Sequence, residues 1–240
     1  MRMKTLKFIL VSIGLAKCTL GAQLPKNIDA GELSTMIKTL AFSNVTRSMR
    51  SAEAYPLYPG LKISLETSVV SSKELNEMGD GTASLPPLIP STRLNISKGW
   101  GGDIETSFNI STQNLLKTIS TVGFLGKWMI QDERDSFAST AIFSGVTILN
   151  GFNESFKGTE YEVGFLMSKD YVRLKPYVGA GLLLASATVS KVVSPRVQSD
   201  SVFSPHLFLG AEIELPMNIA LQLDFTQLVP TGSVALGYHF

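Results

Sequence analysis

Two histidines and two pairs of carboxylates are the residues whose types and spacing could do chemistry. The histidines are His206 and His239, and there are no others in the chain. The paired acids lie at i and i+2: Glu160 with Glu162, and Glu212 with Glu214. Histidine can act as the general base for a serine nucleophile, and paired carboxylates can act as acid and base in glycoside hydrolysis.

The spacing of these residues favours structural roles. Glu212 lies six residues from His206, which is about 20 Å along a strand at ~3.3 Å per residue. A triad could then form only with residues of neighbouring strands, as in barrel lipases, and no motif marks such partners. Paired acids need an open cleft to act as a glycosidase. We therefore predict no catalytic site, no metal site and no cofactor; the histidines and acids are expected to hydrogen-bond and to form salt bridges.

The first 22 residues have the three parts of a secretory signal peptide. A basic start precedes an apolar run over residues 8–16, and small residues lead to a cleavage site after Ala22 or Gly21. Nine apolar residues at 1.5 Å each span about 14 Å, too short for a bilayer core of ~30 Å. The segment is expected to be removed during secretion.

Cys18, the only cysteine of the chain, lies in this signal segment. A weak lipoprotein cleavage box surrounds it, but Lys17 stands where such boxes need a small residue. If Cys18 leaves with the signal, disulfides, thiol nucleophiles and cysteine metal sites are excluded from the mature protein.

The composition narrows the class of protein. Charged residues make up 17% of the 240 residues, below the roughly 25% of ordinary soluble domains. The formal net charge of +1 provides no basic field for nucleic acid. A mean hydropathy of +0.19 argues against disorder. The chain is therefore either a soluble domain with an apolar core or a membrane protein.

Two-residue alternation of apolar and polar side chains dominates the sequence from Leu61 onward, which is typical of β-strands with two different faces. Ten strands, most of them about 9–13 residues long, are predicted, and a tilted membrane strand needs about 9–11 residues. They cover residues 61–69, 93–97, 103–110, 121–130, 136–149, 160–168, 172–184, 206–215, 219–226 and 233–240.

The connections between the predicted strands show a second regularity. Connections after even-numbered strands are short, whereas those after odd-numbered strands include the three longest, residues 71–90, 150–157 and 190–201. Short turns at one rim and longer loops at the other are typical of outer-membrane barrels. An even strand number then predicts both chain termini at the short-turn, periplasmic rim.

A soluble sandwich or lipocalin-like barrel is the alternative, and two features favour the membrane barrel over it. Aromatic residues lie near predicted strand ends, where interfacial girdles belong; they are Trp100, Trp128, Tyr161, Tyr171, Tyr177, Tyr238 and Phe240. The polar faces also carry glycines, which suit a crowded interior; they are Gly164, Gly179, Gly181, Gly210 and Gly237.

The last strand ends on an aromatic residue, with Leu236, Tyr238 and Phe240 in phase. It resembles the terminal strand of Gram-negative outer-membrane barrels, and that resemblance implies recognition by periplasmic chaperones and the barrel-assembly machinery.

Over residues 55–240 the chain is similar to a family of uncharacterised small outer-membrane β-barrel proteins of Gram-negative bacteria. The similar stretches are Tyr58-Pro59-Gly60-Leu61, Leu94-Asn95-Ile96-Ser97-Lys98-Gly99, and Ser168-Lys169 leading to Pro176-Tyr177-Val178-Gly179-Ala180-Gly181. These motifs are structural, so the similarity implies fold and location and carries over no active site.

The segment before the barrel has a helical pattern. Within residues 29–50, Asp29 and Glu32 form a capping-box-like pair, followed by apolar residues at helical spacing: Leu33, Met36, Ile37 and Leu40. Three placements are open: packing at the periplasmic mouth, entering the lumen as a partial plug, or a loosely ordered lead-in.

Charges on the polar strand faces are predicted to form a salt-bridged lumen. Ten strands lie near the eight whose interior is filled by side chains, whereas open channels appear at 16–18, and unpaired charge in a narrow lumen is costly. The predicted network is Lys62, Glu66, Arg93, Asp103, Glu105, Lys127, Glu160, Glu162, Arg173, Lys175, Glu212, Glu214 and Asp224, with Lys117 as a further basic candidate.

The sequence therefore predicts an all-β protein: a ten-stranded antiparallel transmembrane β-barrel (8–12 strands possible) with a short N-terminal helical segment. Its domains are a signal peptide (1–22), a periplasmic segment (23–55) and the barrel (56–240). The expected role is structural or surface-interacting, through loops 71–90 and 188–201, in contact with outer-membrane lipid and lipopolysaccharide. Transport of a small or apolar solute and a lipid-acting hydrolase activity are the alternatives.

Overall fold

The computed structural model describes residues 23–55, 60–111, 119–226 and 230–240. Ten β-strands follow a first helix: β1 (Leu61–Ser71), β2 (Leu88–Gly101), β3 (Ile104–Ser111), β4 (Ile119–Gln131), β5 (Ser139–Gly151), β6 (Phe156–Ser168), β7 (Leu174–Val189), β8 (Ser199–Ile213), β9 (Asn218–Thr226) and β10 (Pro230–His239). Helix α1 (Ala30–Ser43) precedes the strands, and α2 (Lys73–Glu77) lies between β1 and β2. In the described part of the chain, no helix combines the length and apolar character needed to cross a membrane.

The strands form one closed antiparallel barrel. Each strand pairs with its neighbours in sequence, and β1 closes the ring by pairing with β10, where Lys62 lies opposite His239. The predicted ten-stranded barrel is confirmed. Residues 102–103, 132–138, 169–173 and 214–217 connect strands at the "short-turn rim"; residues 72–87, 152–155 and 190–198 connect them at the opposite "long-loop rim".

Several strands are longer at the long-loop rim than the alternation predicted. β6 begins at Phe156 and β8 at Ser199, so the predicted loop 150–157 shrinks to residues 152–155. The ladder continues there through polar pairs such as Thr188 with Ser199. The apolar alternation stops at this level although the backbone hydrogen bonds continue. A prediction from the side-chain pattern therefore makes these strands too short at the long-loop rim.

The barrel exposes its apolar face and buries its polar face. On β1, Ile63 and Leu65 are 37% and 45% exposed, whereas Lys62 and Glu66 are 4% and 3% exposed. The same alternation repeats on the other strands. A soluble barrel would have the opposite arrangement, since it buries apolar side chains inside.

Inward-facing aromatic rings lie over glycines of the neighbouring strand. Phe208 pairs with Gly179, and Tyr177 pairs with Gly210; each ring occupies the space that a Cβ would take at the glycine. The lumen wall can hold large rings only because these facing positions have no side chain.

Tyr177 corrects one prediction, since it was expected in the interfacial girdle. It is 4% exposed and its hydroxyl donates to Gln222 Oε1 at 3.0 Å. The two-residue period explains this placement, because Tyr177 is in phase with the inward Lys175 and Gly179. Of the other aromatics predicted for the girdle, those exposed near the short-turn rim are Trp100, Trp128, Tyr171, Tyr238 and Phe240, and Tyr161 faces outward midway along β6.

Helix α1 forms as its sequence predicts. Asp29 and Glu32 make both hydrogen bonds of a capping box, at 2.8 and 2.9 Å. The helix lies against β6, β7, β8 and β1, inside the barrel. The predicted N-terminal helix is confirmed, and its position is that of a plug in the lumen.

Replacing Gly179 by Ala should destabilise the barrel by about 1–3 kcal/mol, because the new Cβ would overlap the Phe208 ring and lie 2.7 Å from the Phe165 carbonyl oxygen. Urea unfolding in lipid vesicles measures this change. Gly126→Ala is the matched control, since its Cβ would meet only Ser144 O, at 4.0 Å. Equal stability of the two variants would contradict the close packing of ring and glycine.

Candidate functional site in the barrel lumen

The lumen is occupied by the chain's own residues 23–55, called the plug from here on. Its first half is apolar. Helix α1 contributes Leu33, Met36 and Ile37, all fully buried, to one hydrophobic cluster. The wall residues of this cluster come from the strand ends near the long-loop rim; they include Val70, Ile119, Leu149, Phe156, Leu183, Val189 and Val202. The long-loop half of the lumen is therefore closed by an ordinary apolar core.

The second half of the plug, residues 44–55, is polar and runs to the short-turn rim. Near its start, Thr46 donates through its hydroxyl to Asn109 Oδ1 at 2.9 Å and accepts from the Thr147 hydroxyl at 2.9 Å. Near its end, the Ala52 N–H donates to Ser168 Oγ at 2.8 Å. These contacts fix the depth at which the plug sits in the barrel.

Arg47 is the central cation of the plug. Its Nε donates to Asp224 Oδ2 at 2.9 Å, and Nη1 donates to Ser68 Oγ at 3.1 Å. Its guanidinium also donates to the Ser43 and Phe42 carbonyl oxygens at 3.1 and 3.2 Å, which lie in the last turn of α1. Arg47 thereby ties the end of the helix to strands β1 and β9.

Arg50 is the second plug cation and lies closer to the short-turn rim. It forms a salt bridge with Glu105 of β3, and its guanidinium stacks 3.2 Å from the centre of the Tyr55 ring. Lys127 of β4 reaches the same carboxylate at 3.4 Å and donates to the Ser51 and Glu53 carbonyl oxygens at 2.9 and 2.8 Å. One wall carboxylate thus holds a cation from the wall and a cation from the plug.

Two further salt bridges join wall residues: one links β1 to β8 past two intervening strands, and the other links the adjacent strands β1 and β2. Lys62 Nζ lies 3.0 Å from Glu212 Oε1, and Arg93 Nε lies 3.5 Å from Glu66 Oε2. Arg93 is completely buried and donates to the Asn44 carbonyl oxygen at 3.1 Å, so this pair also contacts the plug.

His206 lies between two carboxylates at the middle of the wall. Its Nδ1 is 2.8 Å from Glu162 Oε1 and its Nε2 is 2.9 Å from Asp224 Oδ1. With both ring nitrogens engaged, the ring has no free nitrogen to act as a base toward a serine. Glu160 is buried nearby and has no hydrogen-bond partner among the described residues.

Lys175 forms a separate cluster at the short-turn rim. Its Nζ lies 2.7 Å from Glu53, 3.1 Å from Asp170 and 3.0 Å from Glu214. Glu53 belongs to the plug, so this cluster anchors the end of the plug to two short turns. Its charges are more exposed than those in the lumen: the Glu214 side chain is 41% exposed.

The structure places most of the predicted network residues on the buried wall, but three lie in short turns; one of them is Glu214, which contacts Lys175. Asp103 and Arg173 are exposed in short turns, outside the buried set. Val172, which the alternation placed on a strand, lies beside Arg173 in the turn 169–173 and has a positive φ of 62°. The alternation ran past the true strand ends, because turn residues can match a two-residue period by chance. Lys117 lies outside the described residues.

Arg47 and Arg50 are the functional residues that the sequence analysis missed. They lie in a coil between α1 and β1, where no strand alternation points to them. A signal for them exists in the charges of the wall: the predicted network held more acids than bases, which calls for cations from another part of the chain.

The described structure makes this balance explicit. The buried ionisable side chains on strands comprise six carboxylates, four lysine or arginine cations and His206, and the plug contributes two arginines. The carboxylates are Glu66, Glu105, Glu160, Glu162, Glu212 and Asp224, and the lysine and arginine cations of the wall are Lys62, Arg93, Lys127 and Lys175. The plug therefore supplies cations that pair with two of the wall carboxylates, Asp224 and Glu105.

Among the described residues, a small cavity lies between plug and wall. The cavity bordered by Arg47, Arg50, Lys62 and Glu66 has a volume of about 10 Å³, room for roughly one water molecule. In the described part of the chain, no group of three or more His, Cys, Asp or Glu side chains is arranged to hold a metal ion. In the described part of the chain, the lumen is filled by the plug.

The side chains on the exterior of the barrel indicate the environment in which it lies. Outward apolar side chains such as Leu182, Leu207 and Leu223 are about half exposed, at 48%, 58% and 51%, and every strand is paired on both sides. A closed barrel satisfies its backbone groups internally and can present such a surface only to lipid. The chain is an outer-membrane β-barrel protein.

Solved structures of outer-membrane barrels align with the chain at low identity. The KdgM porin is 8% identical, with a TM-score of 0.37 over 75% of this chain and 99% of that one. Omp33 of Acinetobacter baumannii is 7% identical (TM-score 0.34; 80% and 100% covered), and the translocator domain of autotransporter NalP from Neisseria meningitidis is 9% identical (TM-score 0.36; 88% and 94% covered).

These similarities are too weak to transfer a function. No protein-family model and no curated protein matches the sequence.

Replacing Arg47 by Met should lower the free energy of unfolding by about 3–5 kcal/mol, because Asp224 Oδ2 would stay buried without the guanidinium that pairs with it. The double variant Arg47→Met/Asp224→Asn should lose less than the sum of the two single changes. Urea titration in lipid vesicles measures all three variants.

Lys157→Met is the matched control for this experiment. Lys157 pairs with Glu154 at 3.1 Å, but the two side chains are 56% and 71% exposed, so its loss should change stability by about 0.5 kcal/mol or less. A similar loss for Arg47→Met and Lys157→Met would show that the plug is not held by this ion pair.

Proposed function

We propose that this protein is a plugged outer-membrane barrel that acts through its outer surface and is not an open channel. The main support for this proposal is the occupied lumen. An apolar helix fills one half and a polar segment fills the other, with a cavity of about 10 Å³ between plug and wall. An open channel needs a continuous water-filled path, and ten-stranded barrels are already close to the size that side chains fill.

The long-loop rim is the proposed interaction surface. Its two longest connections, residues 72–87 and 190–198, are those for which a binding role was expected. Each contacts the first residues of the plug: Asp80 N donates to Lys26 O at 3.0 Å, and Ile28 N donates to Val193 O at 3.0 Å. A surface built from three segments in fixed contact loses less entropy on binding than one of independent loops.

The proposed partners follow from location and from the last strand. Lipid and lipopolysaccharide would contact the apolar exterior. Leu236, Tyr238 and Phe240 share the outer face, at 37%, 54% and 53% exposure, where chaperones and the assembly machinery could bind them before the barrel closes. Their side chains are not needed to fill the lumen, which supports a role in assembly.

A non-enzymatic role is part of the proposal. Both nitrogens of His206 are held by carboxylates inside the wall, and the ring is 2% exposed. It is thus remote from the lipid on which a hydrolase would act.

Transport with a displaced plug is the second candidate function. The observation that favours it is the charge of the wall, since withdrawal of Arg47 and Arg50 would leave six carboxylates against four cations. A lumen of this kind would favour cations over anions. The apolar contacts of α1 oppose such a displacement.

The full chain in a planar lipid bilayer should show no stable conductance, whereas a variant lacking residues 24–55 should conduct and prefer cations. The reason is that the plug both fills the lumen and balances its charge. Single-channel recording in a salt gradient measures conductance and selectivity together.

A shift in gel mobility on boiling is the control that both proteins are folded barrels. Stable conductance of the full, folded chain would contradict the closed barrel. Conductance of the full chain that appears only with an added solute would favour the transport role.

A further inference from the structure

We propose that the amino-terminal end of the mature protein is displayed on the outer face of the membrane, and that it reaches this face through the lumen of its own barrel. This inference goes beyond the proposed closed barrel, because it concerns the direction in which the plug is threaded. It depends on the route of residues 23–55 and on the orientation of the two rims.

The start of the plug is bound to the first long loop. Gln23 and Ser84 exchange two backbone hydrogen bonds of 3.3 Å each, and the Asp80 N–H donates to the Lys26 carbonyl oxygen at 3.0 Å. Glu32 of α1 accepts from the Gly79 N–H at 2.9 Å. Three contacts over ten residues fix this end of the plug at the long-loop rim.

A second loop of the same rim holds the plug from another side. The Ile28 N–H donates to the Val193 carbonyl oxygen at 3.0 Å, and the Ser194 hydroxyl donates to the Ile28 carbonyl oxygen at 3.1 Å. The first residues of the plug therefore lie between loop 72–87, which connects β1 to β2, and loop 190–198, which connects β7 to β8.

The other end of the plug lies at the short-turn rim. The Tyr55 ring packs edge-on against the His239 ring, with 4.6 Å between centroids. The Gly60 carbonyl oxygen accepts from the Gly99 N–H at 2.8 Å, just before β1 begins. Residues 23–55 thus cross the barrel once, from the long-loop rim to the short-turn rim.

This crossing changes the predicted position of one terminus. An even strand number places the start of β1 and the end of β10 at the same rim, and both lie at the short-turn rim. The plug adds one more crossing, so residue 23 lies at the opposite rim. Of the three placements left open for the segment before the barrel, this route corresponds to entry into the lumen.

The orientation of outer-membrane barrels then places residue 23 outside. Short turns face the periplasm in such barrels and longer loops face the exterior. Gln23 is exposed and borders an open cleft of about 320 Å³ that Leu24, Lys26, Phe152 and Val193 also line. Signal cleavage after Ala22 would leave the new amino terminus at this cleft, and any residues fused before Gln23 would emerge there.

Cysteine labelling on intact cells tests the inference. The probe is a maleimide on a polymer too large to pass through porins. Lys26→Cys reports on the plug, Thr82→Cys on the long-loop rim and Met217→Cys on the short-turn rim; all three side chains are exposed. The parent protein carries Cys18→Ser, so that no other thiol is present.

We expect Lys26→Cys and Thr82→Cys to be labelled on intact cells, and Met217→Cys only after the outer membrane is permeabilised. If Lys26→Cys, like Met217→Cys, were labelled only after the outer membrane is permeabilised, the threaded route would be overturned. Failure of Thr82→Cys to label on intact cells would instead overturn the orientation, so the two failures are distinguishable.

Lys26 is chosen over Gln23 because a cysteine directly after Leu20-Gly21-Ala22 would create a lipoprotein cleavage box. A shift in gel mobility on boiling shows that each variant is folded. Ala30→Cys, also exposed at the start of α1, replaces Lys26→Cys if the latter does not fold, with the same expected and opposing results.

A pair of glycine variants tests the docking on the first long loop. Gly79 and Gly81 both have positive φ, 61° and 66°, so alanine strains both backbones by roughly 1 kcal/mol. A Cβ at Gly79 would overlap the Lys26 carbonyl oxygen, whereas one at Gly81 would meet nothing within 4 Å.

Gly79→Ala should therefore raise the rate at which trypsin, added to intact cells, cleaves after Lys26 by at least several-fold, and Gly81→Ala should not. Mass spectrometry of the released and retained chains identifies the cut. Equal rates in the two variants would overturn the docking of the plug on this loop.

Discussion

Charge buried inside a closed wall is the constraint on which the rest of this structure depends. The described strands bury six carboxylates against four lysine or arginine side chains and His206, in a lumen that the plug fills. Arg47 and Arg50 enter from the plug and pair with Asp224 and Glu105. Without such partners, buried carboxylates would each cost several kcal/mol. Wall and plug are therefore parts of one polar interior, and neither is complete alone.

The plug closes the barrel by two different physical means. In the long-loop half, Leu33, Met36 and Ile37 are excluded from water as in any soluble core. In the short-turn half, hydrogen bonds and ion pairs set the depth and register of residues 44–55. Apolar burial is non-directional, whereas the polar contacts fix one position. Together they produce a closed barrel with its long-loop rim built from loops and the start of the plug.

The sequence predicted the barrel well because outward and inward faces meet different solvents. Ile63 and Leu65 meet lipid while Lys62 and Glu66 meet a polar lumen, so the period of two is strong along each strand. The prediction failed where that contrast ends. Thr188 and Ser199 pair beyond the apolar band, and Arg173 continues the alternation by chance in a turn. The side-chain pattern shows what surrounds a strand, whereas its length is set by the backbone hydrogen bonds.

The sequence by itself determined the two-residue alternation of the strands, a strand number near ten, the capping box of Asp29 with Glu32 and the excess of acids on the polar faces. Each of these depends on residues close in sequence or on a sum over the chain. Only the tertiary structure decided where residues 23–55 lie and which carboxylates Arg47 and Arg50 meet. Arg47 and Asp224 are 177 positions apart, and a contact of that kind arises from closure of the barrel around the plug, which no local pattern encodes.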